Sequence, residues 1–189
     1  MSERTMRIVF SSGISNLVEK NSSFDSGVLR VAYTGKNRNN SFISKETYER
    51  CIQSIYNCPI VCNYDRETDT IGSHDIELVS TDDGGMKIVN ITQPVCVLPE
   101  SAKYWWEVIE DNSGVHEYLC VDAFIWKRQE AYRKIKDDGI TDESMEISIK
   151  EGEMVDGMYV IKRFEFTAFC LLGTAEPCFE SASLGMFSC

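Results

Sequence analysis

The chain has 189 residues, 43% of them hydrophobic and 11% aromatic, enough for one domain with a substantial core. A formal charge of −11 and a pI near 4.7 repel phosphate backbones, which argues against nucleic acid as a partner. No apolar run approaches the roughly 18 residues that a bilayer span needs, and MSERTMRIVFSSGIS lacks the apolar stretch and cleavage site of a secretory signal. The expectation is one soluble, non-exported domain over residues 1–189.

In chain order, SGVLRVAYTG reads as a strand bounded by glycines, and NRNNSF as a polar loop. Ser44 is a fair N-cap for a helix over KETYERCIQSI, on which Tyr48, Ile52 and Ile55 recur on one face. CPIVCNYD then reads as a strand, RETDT as a turn, IGSHDIELVS as a second strand, DDGG as a turn and MKIVNITQPVCVL as a third strand. These make a β-meander without crossover helices. SAKYWWEVIEDN reads as a short helix with Trp105 and Trp106 packing, HEYLCVDAFIW as a strand, and KRQEAYRKIKDDG as a helix ended by Gly139. Residues 142–166, DESMEISIKEGEMVDGMYVIKRFEF, form two alternating runs around a glycine turn, the pattern of a β-hairpin. The remaining tail turns at Gly173. The expected fold class is α+β: a mostly antiparallel sheet or barrel with two or three helices inserted.

Eight cysteines include no CxxC pair, and most stand among apolar neighbours, as in LCVDAF and AFCLLG. That is the pattern of reduced, buried thiols, so no metal and no cofactor are expected; a nucleophilic Cys170 is the less favoured reading. Phosphate-cradling glycine motifs, GxSxG and HExxH are absent. A serine-hydrolase set is the testable option, because it needs a hydroxyl, a base and an orienting group at any sequence spacing. The base is narrowed to His74 or His116, the two histidines of the chain. On strand periodicity Ser144, Glu146, Ser148 and Lys150 share one face, so Ser144 and Ser148 are the nucleophile candidates. Glu165 is a carboxylate on an otherwise apolar strand, suited to an orienting role or simply to a half-exposed edge.

The order of these segments resembles the prohead (capsid maturation) serine proteases of tailed bacteriophages, relatives of the herpesvirus assemblins. The similarity runs over nearly the whole chain: SGVLRVAYTGKNRNNSFISKETYERCI matches the family's early strand and helix, CPIVCNYDRETDTIGSHD its histidine segment, YLCVDAFIWKRQEAYRKIKDDGITDESMEI its helix and serine-led strand, and FEFTAFCLLGTAEPCFESA its final region. The resemblance implies Ser144 as nucleophile, Glu165 as orienting carboxylate and an assemblin-like fold. The family's histidine position falls on Tyr64, so the base is assigned to His74, with Asp75 beside it as a candidate helper. It further implies an endopeptidase that cuts scaffold and major coat protein, and itself near ESASLGMFSC, inside the procapsid in the host cytoplasm. A homodimer or higher homo-oligomer is implied, with any C-terminal scaffold region lying outside these residues. The alternatives are a catalytically silent homologue and a structural protein of the capsid.

Overall fold

The computed structural model describes residues 18–111, 114–138, 140–173, 176–179 and 182–185. The N-terminal segment, Gly139 and the last residues of ESASLGMFSC lie outside them. In chain order the elements are β1 (Val18–Glu19), β2 (Phe24–Tyr33), β3 (Gly35–Lys36), β4 (Ser41–Ile43), α1 (Lys45–Cys51) running into a 3-10 turn (Ile52–Ile55), β5 (Pro59–Cys62), β6 (Tyr64–Asp65), β7 (Thr70–Ile71), β8 (Ile76–Ser80) and β9 (Met86–Asn90). They continue with β10 (Gln93–Val97), β11 (Tyr104–Asp111), β12 (Gly114–Trp126), α2 (Tyr132–Asp138), β13 (Ile140–Val155), β14 (Met158–Leu172) and β15 (Ser183–Gly185).

Strands hold 58% of the described residues and helices 11%, which makes the fold all-β. The expected α+β, assemblin-like class is therefore corrected. One cause is YWWEVI, read from sequence as helical. Its aromatic and β-branched residues suit a pleated surface, and they form β11, which pairs with β12 along its whole length. The strands β2, β15, β13, β14, β5, β10 and β12 follow one another around a ring that closes where β12 pairs back onto β2. Every pairing around the ring is antiparallel except β14 with β5, where Phe169 faces Ile60 and Cys170 faces Val61. Leu29, Val31, Ile60, Val121, Ile125, Phe164, Phe169 and Leu171 belong to the core within it.

The β13–β14 hairpin turns at Asp156 and Gly157, both at positive φ, as a two-residue DG loop demands. The free edge of β14 is shared by three neighbours. β4 pairs with its start and β5 with its end. Between them, the Phe164 N–H donates to Cys51 Sγ at 3.4 Å and the Phe166 N–H to Ser54 Oγ at 3.0 Å, so α1 and its 3-10 turn stand where a strand would otherwise be needed. Ser44 caps α1 by accepting the Thr47 N–H at 3.2 Å, as its position in the sequence suggests.

Between Phe166 and Ala168 the register shifts: Ile147 faces Phe166 and Glu146 faces Ala168, which leaves Thr167 as an extra residue on β14. Its hydroxyl donates to the Glu146 carbonyl at 2.9 Å. Such a bulge exchanges the two faces of a strand beyond it. Phe164 and Phe166 before the bulge, and Phe169 and Leu171 after it, accordingly all belong to the main core, while Ala168, Cys170 and Leu172 form a separate cluster with Val61 on the other face of the wall.

On the core side lies Glu143, fully buried opposite Leu171, its carboxyl oxygens without a hydrogen-bond partner among the described residues. Burial pushes its pKa well above the ordinary 4.5. The folded protein therefore keeps this proton to higher pH than the unfolded chain does. As pH rises above about 4.5 and through the shifted value, the Glu143 contribution to stability falls. Glu143→Gln removes that slope, so denaturant titrations from pH 5 to 8 will show the variant gaining on wild type as pH rises, by about 1–3 kcal/mol at the alkaline end.

Candidate functional site

The side chains that assemble on the outer face of the wall come from three places. β13 supplies Ser144 and Glu146, which alternate with the inward residues Glu143, Met145 and Ile147. β14 supplies Cys170, directly across the ladder from Ser144 and therefore on the same face. The connection between β7 and β8 supplies His74, which lies in a loop instead of on the strand read from IGSHDIELVS.

That loop is held at several points. The Gly72 N–H donates to the Asn63 carbonyl at 2.7 Å, and the Gly173 N–H donates to the Gly72 carbonyl at 2.8 Å, joining it to the end of β14. Asp75 Oδ2 accepts from Asn63 Nδ2 at 2.7 Å and from the Ser73 N–H at 2.8 Å. The Asn63 bond, followed by the Ser73 one, holds the Asp75 carboxyl below its ordinary range. Asp75, the candidate helper, is thus an anchor of the loop. A Cβ at Gly173 would run into the Ile71 carbonyl, and one at Gly72 into the Asp75 carboxylate.

Anchored in this way, His74 places Nδ1 3.0 Å from Glu146 Oε1, with 41% and 34% of the two side chains exposed. A carboxylate is a pure acceptor, so Nδ1 is the donor of this bond, and in the neutral ring the lone pair is then on Nε2. Donor atoms of His74, Glu146 and Cys170 all lie within 4.8 Å of one another. Cys170 itself is buried, and desolvation, helped by the nearby Glu146 charge, pushes its thiol up to about 12. A thiolate nucleophile is disfavoured in that setting.

The other candidates stand apart from this cluster. Glu165 faces Ser148, four residues along β13 from Ser144, or about 13 Å at the usual strand rise. It is mostly exposed and pairs with Lys150 Nζ at 2.9 Å, so the fold does not bring it to His74. His116 stacks on Tyr33 with ring centroids 4.1 Å apart. Tyr64 donates its hydroxyl to Asp69 Oδ1 at 2.6 Å, a bond that raises its pKa and removes it further from use as a base. The role of Glu146 was legible only as a shared face with Ser144. Cys170 was hidden by the bulge, because strict alternation places it with Phe164 and Phe166.

A groove of about 460 Å3 is lined by Asn63, Tyr64, Arg66, Gln93, Gln129 and Glu130 among others, and by none of Ser144, His74, Glu146 and Cys170. Asn63 belongs both to this groove and to the anchor of the His74 loop.

A family model described as the YonD N-terminal domain matches residues 24–189, beginning at the first residue of β2. The chain belongs to the YonD N-terminal domain family. It is also 33% identical over 94 residues to the SPbeta prophage-derived uncharacterized protein YonD of Bacillus subtilis (strain 168), a match that covers 47% of this chain and 19% of that protein. No solved structure matches. The closed ring and the cluster on its wall both fall within the residues matched as a YonD domain.

The close approach of β14 to the loop has a measurable consequence. Gly173→Ala forces a methyl group against the Ile71 carbonyl and will destabilise the fold by about 1–3 kcal/mol, read as a lowered denaturation midpoint.

Proposed function

We propose that this YonD domain is a phage-encoded serine endopeptidase that trims scaffold and major coat protein inside the procapsid, in the host cytoplasm. Ser144 is its nucleophile, His74 its base, and Glu146, in place of Glu165, its orienting carboxylate. The observation that carries this reading is the 3.0 Å pair of Glu146 and His74 on the strand face that bears Ser144. The prophage origin of the YonD relative is consistent with a phage role.

In this mechanism Glu146 accepts the Nδ1 proton bond and keeps Nε2 unprotonated. Ser144 Oγ attacks the scissile carbonyl as Nε2 takes its proton, and the imidazolium, stabilised by Glu146, returns that proton to the leaving amine. The groove that shares Asn63 with the His74 loop is the place for an extended peptide, its amide-bearing lining suited to backbone hydrogen bonds. The enzyme would work as a homodimer or a higher homo-oligomer, with the scaffold and coat proteins as its substrates.

A second reading, a catalytically silent assembly module, is favoured by one feature. The β8–β9 hairpin stands outside the main sheet and exposes Ile76, Leu78, Met86 and Ile88 on one face. An apolar strand face of that kind suits a binding partner.

Mass spectrometry of the cognate scaffold and coat proteins, incubated with wild type and variants, separates the readings. Ser144→Ala and His74→Ala are expected to lower cleavage about 10^4-fold or more, and Glu146→Gln by about 10^3–10^4-fold. Glu165→Gln and Ser148→Ala should stay within a few-fold of wild type. Loss of activity in Glu165→Gln alone would return the orienting role to that residue. No cleavage by folded wild type leaves the assembly module.

A further inference from the structure

We propose that His74, Glu146 and Cys170 form a binding site for one zinc ion, and that the bound metal holds the proposed peptidase inactive by occupying its base. The inhibitory half rests on that functional reading. The binding half stands on the geometry alone.

The three side chains supply one nitrogen, one oxygen and one sulfur from separate parts of the chain, which is why no spacing motif announces them. Among the described residues this is the one group of three such donors close enough to share an ion. A tetrahedral zinc ion bonds nitrogen and oxygen at about 2.0–2.2 Å and sulfur at about 2.3 Å, so its donors stand about 3.3–3.8 Å apart. The donors here all lie within 4.8 Å of one another, the His74–Glu146 pair at 3.0 Å. Small side-chain rotations suffice, and the partial exposure of His74 and Glu146 leaves room for them. The loop itself stays in place through its bonds to Asn63 and Gly173.

The donor chemistry selects the ion. A thiol and an imidazole suit zinc and exclude the hard ions magnesium and calcium, which prefer oxygen alone. Three protein ligands leave a fourth position for water, and Ser144 stands across the ladder from Cys170. On binding, the Cys170 S–H bond breaks, its proton passes to solvent and the thiolate closes on the metal. His74 binds through Nδ1, its remaining proton moving to Nε2. With the lone pair in the metal bond and Nε2 protonated, His74 can no longer take a proton from Ser144.

Cobalt titration of the whole chain under reducing conditions tests the site, because tetrahedral Co2+ absorbs in the visible and a cobalt–thiolate bond adds a near-ultraviolet band. One equivalent should give both signals, and Zn2+ should remove them. Cys170→Ser should lose the thiolate band, and His74→Ala and Glu146→Gln, which alter partly exposed side chains, should weaken binding roughly tenfold or more. In the peptidase assay, zinc should suppress wild type while Cys170→Ser keeps cutting in its presence. Absence of the bands in folded wild type overturns the site, as does their survival in all three variants. Cobalt bands without cleavage under any condition support the site and remove its inhibitory role together with the peptidase reading. Cleavage that zinc leaves untouched, with the bands present, removes the inhibitory role alone.

Discussion

The parallel seam between β5 and β14 is the contact on which the rest of the molecule depends. Phe169 against Ile60 and Cys170 against Val61 join the one pair of neighbours around the ring that run the same way. Parallel neighbours cannot be joined by a tight turn, and here three of the seven ring strands, β10, β12 and β13, lie in the chain between them. The seam also sets the course of the chain beyond β5. Asn63 leaves the strand beside the end of β14, and the Gly72–Gly173 hydrogen bond continues the contact into the loop that carries His74.

The bulge at Thr167 divides the chemistry of the wall. One extra residue on β14 lets four large apolar side chains, Phe164, Phe166, Phe169 and Leu171, stay with the core although their spacing breaks the period of two. The same residue sends Cys170 to the outer face. A carboxyl group lies on each side of the neighbouring strand. Glu143 is enclosed by the core and kept neutral by desolvation, whereas Glu146 is partly exposed and has an imidazole to pair with. Three positions along one strand separate a carboxyl that opposes folding when charged from one that is useful when charged.

Functionally, the wall presents a half-exposed His–Glu pair above a buried thiol and beside a serine. In the proposed peptidase the pair orients an imidazole, and in the proposed zinc site the same atoms are the ligands. Both uses arise from one placement, in which rigid strands carry two of the residues and a loop anchored on both sides carries the third. The mobile alternative, a histidine on a free loop, would have to be ordered at the moment of reaction at the cost of its conformational entropy.

Sequence by itself determined the local pieces. Alternation and the DG turn specify the β13–β14 hairpin, glycine-bounded apolar residues specify β2, and Ser44 with the Tyr48, Ile52 and Ile55 face specifies the capped helix and its packing. It also confined the proposed base to two histidines and marked the face of Ser144 and Glu146. Tertiary structure alone decided the class, since YWWEVI becomes strand only through its ladder with β12. It also decided the site. The family resemblance matches Glu165 to Ser144, but register pairs it with Ser148 and charge pairs it with Lys150. Cys170 and His74 meet Glu146 through a bulge and a parallel seam. Both are matters of register between distant segments, which the hydrophobic period of a single strand does not encode.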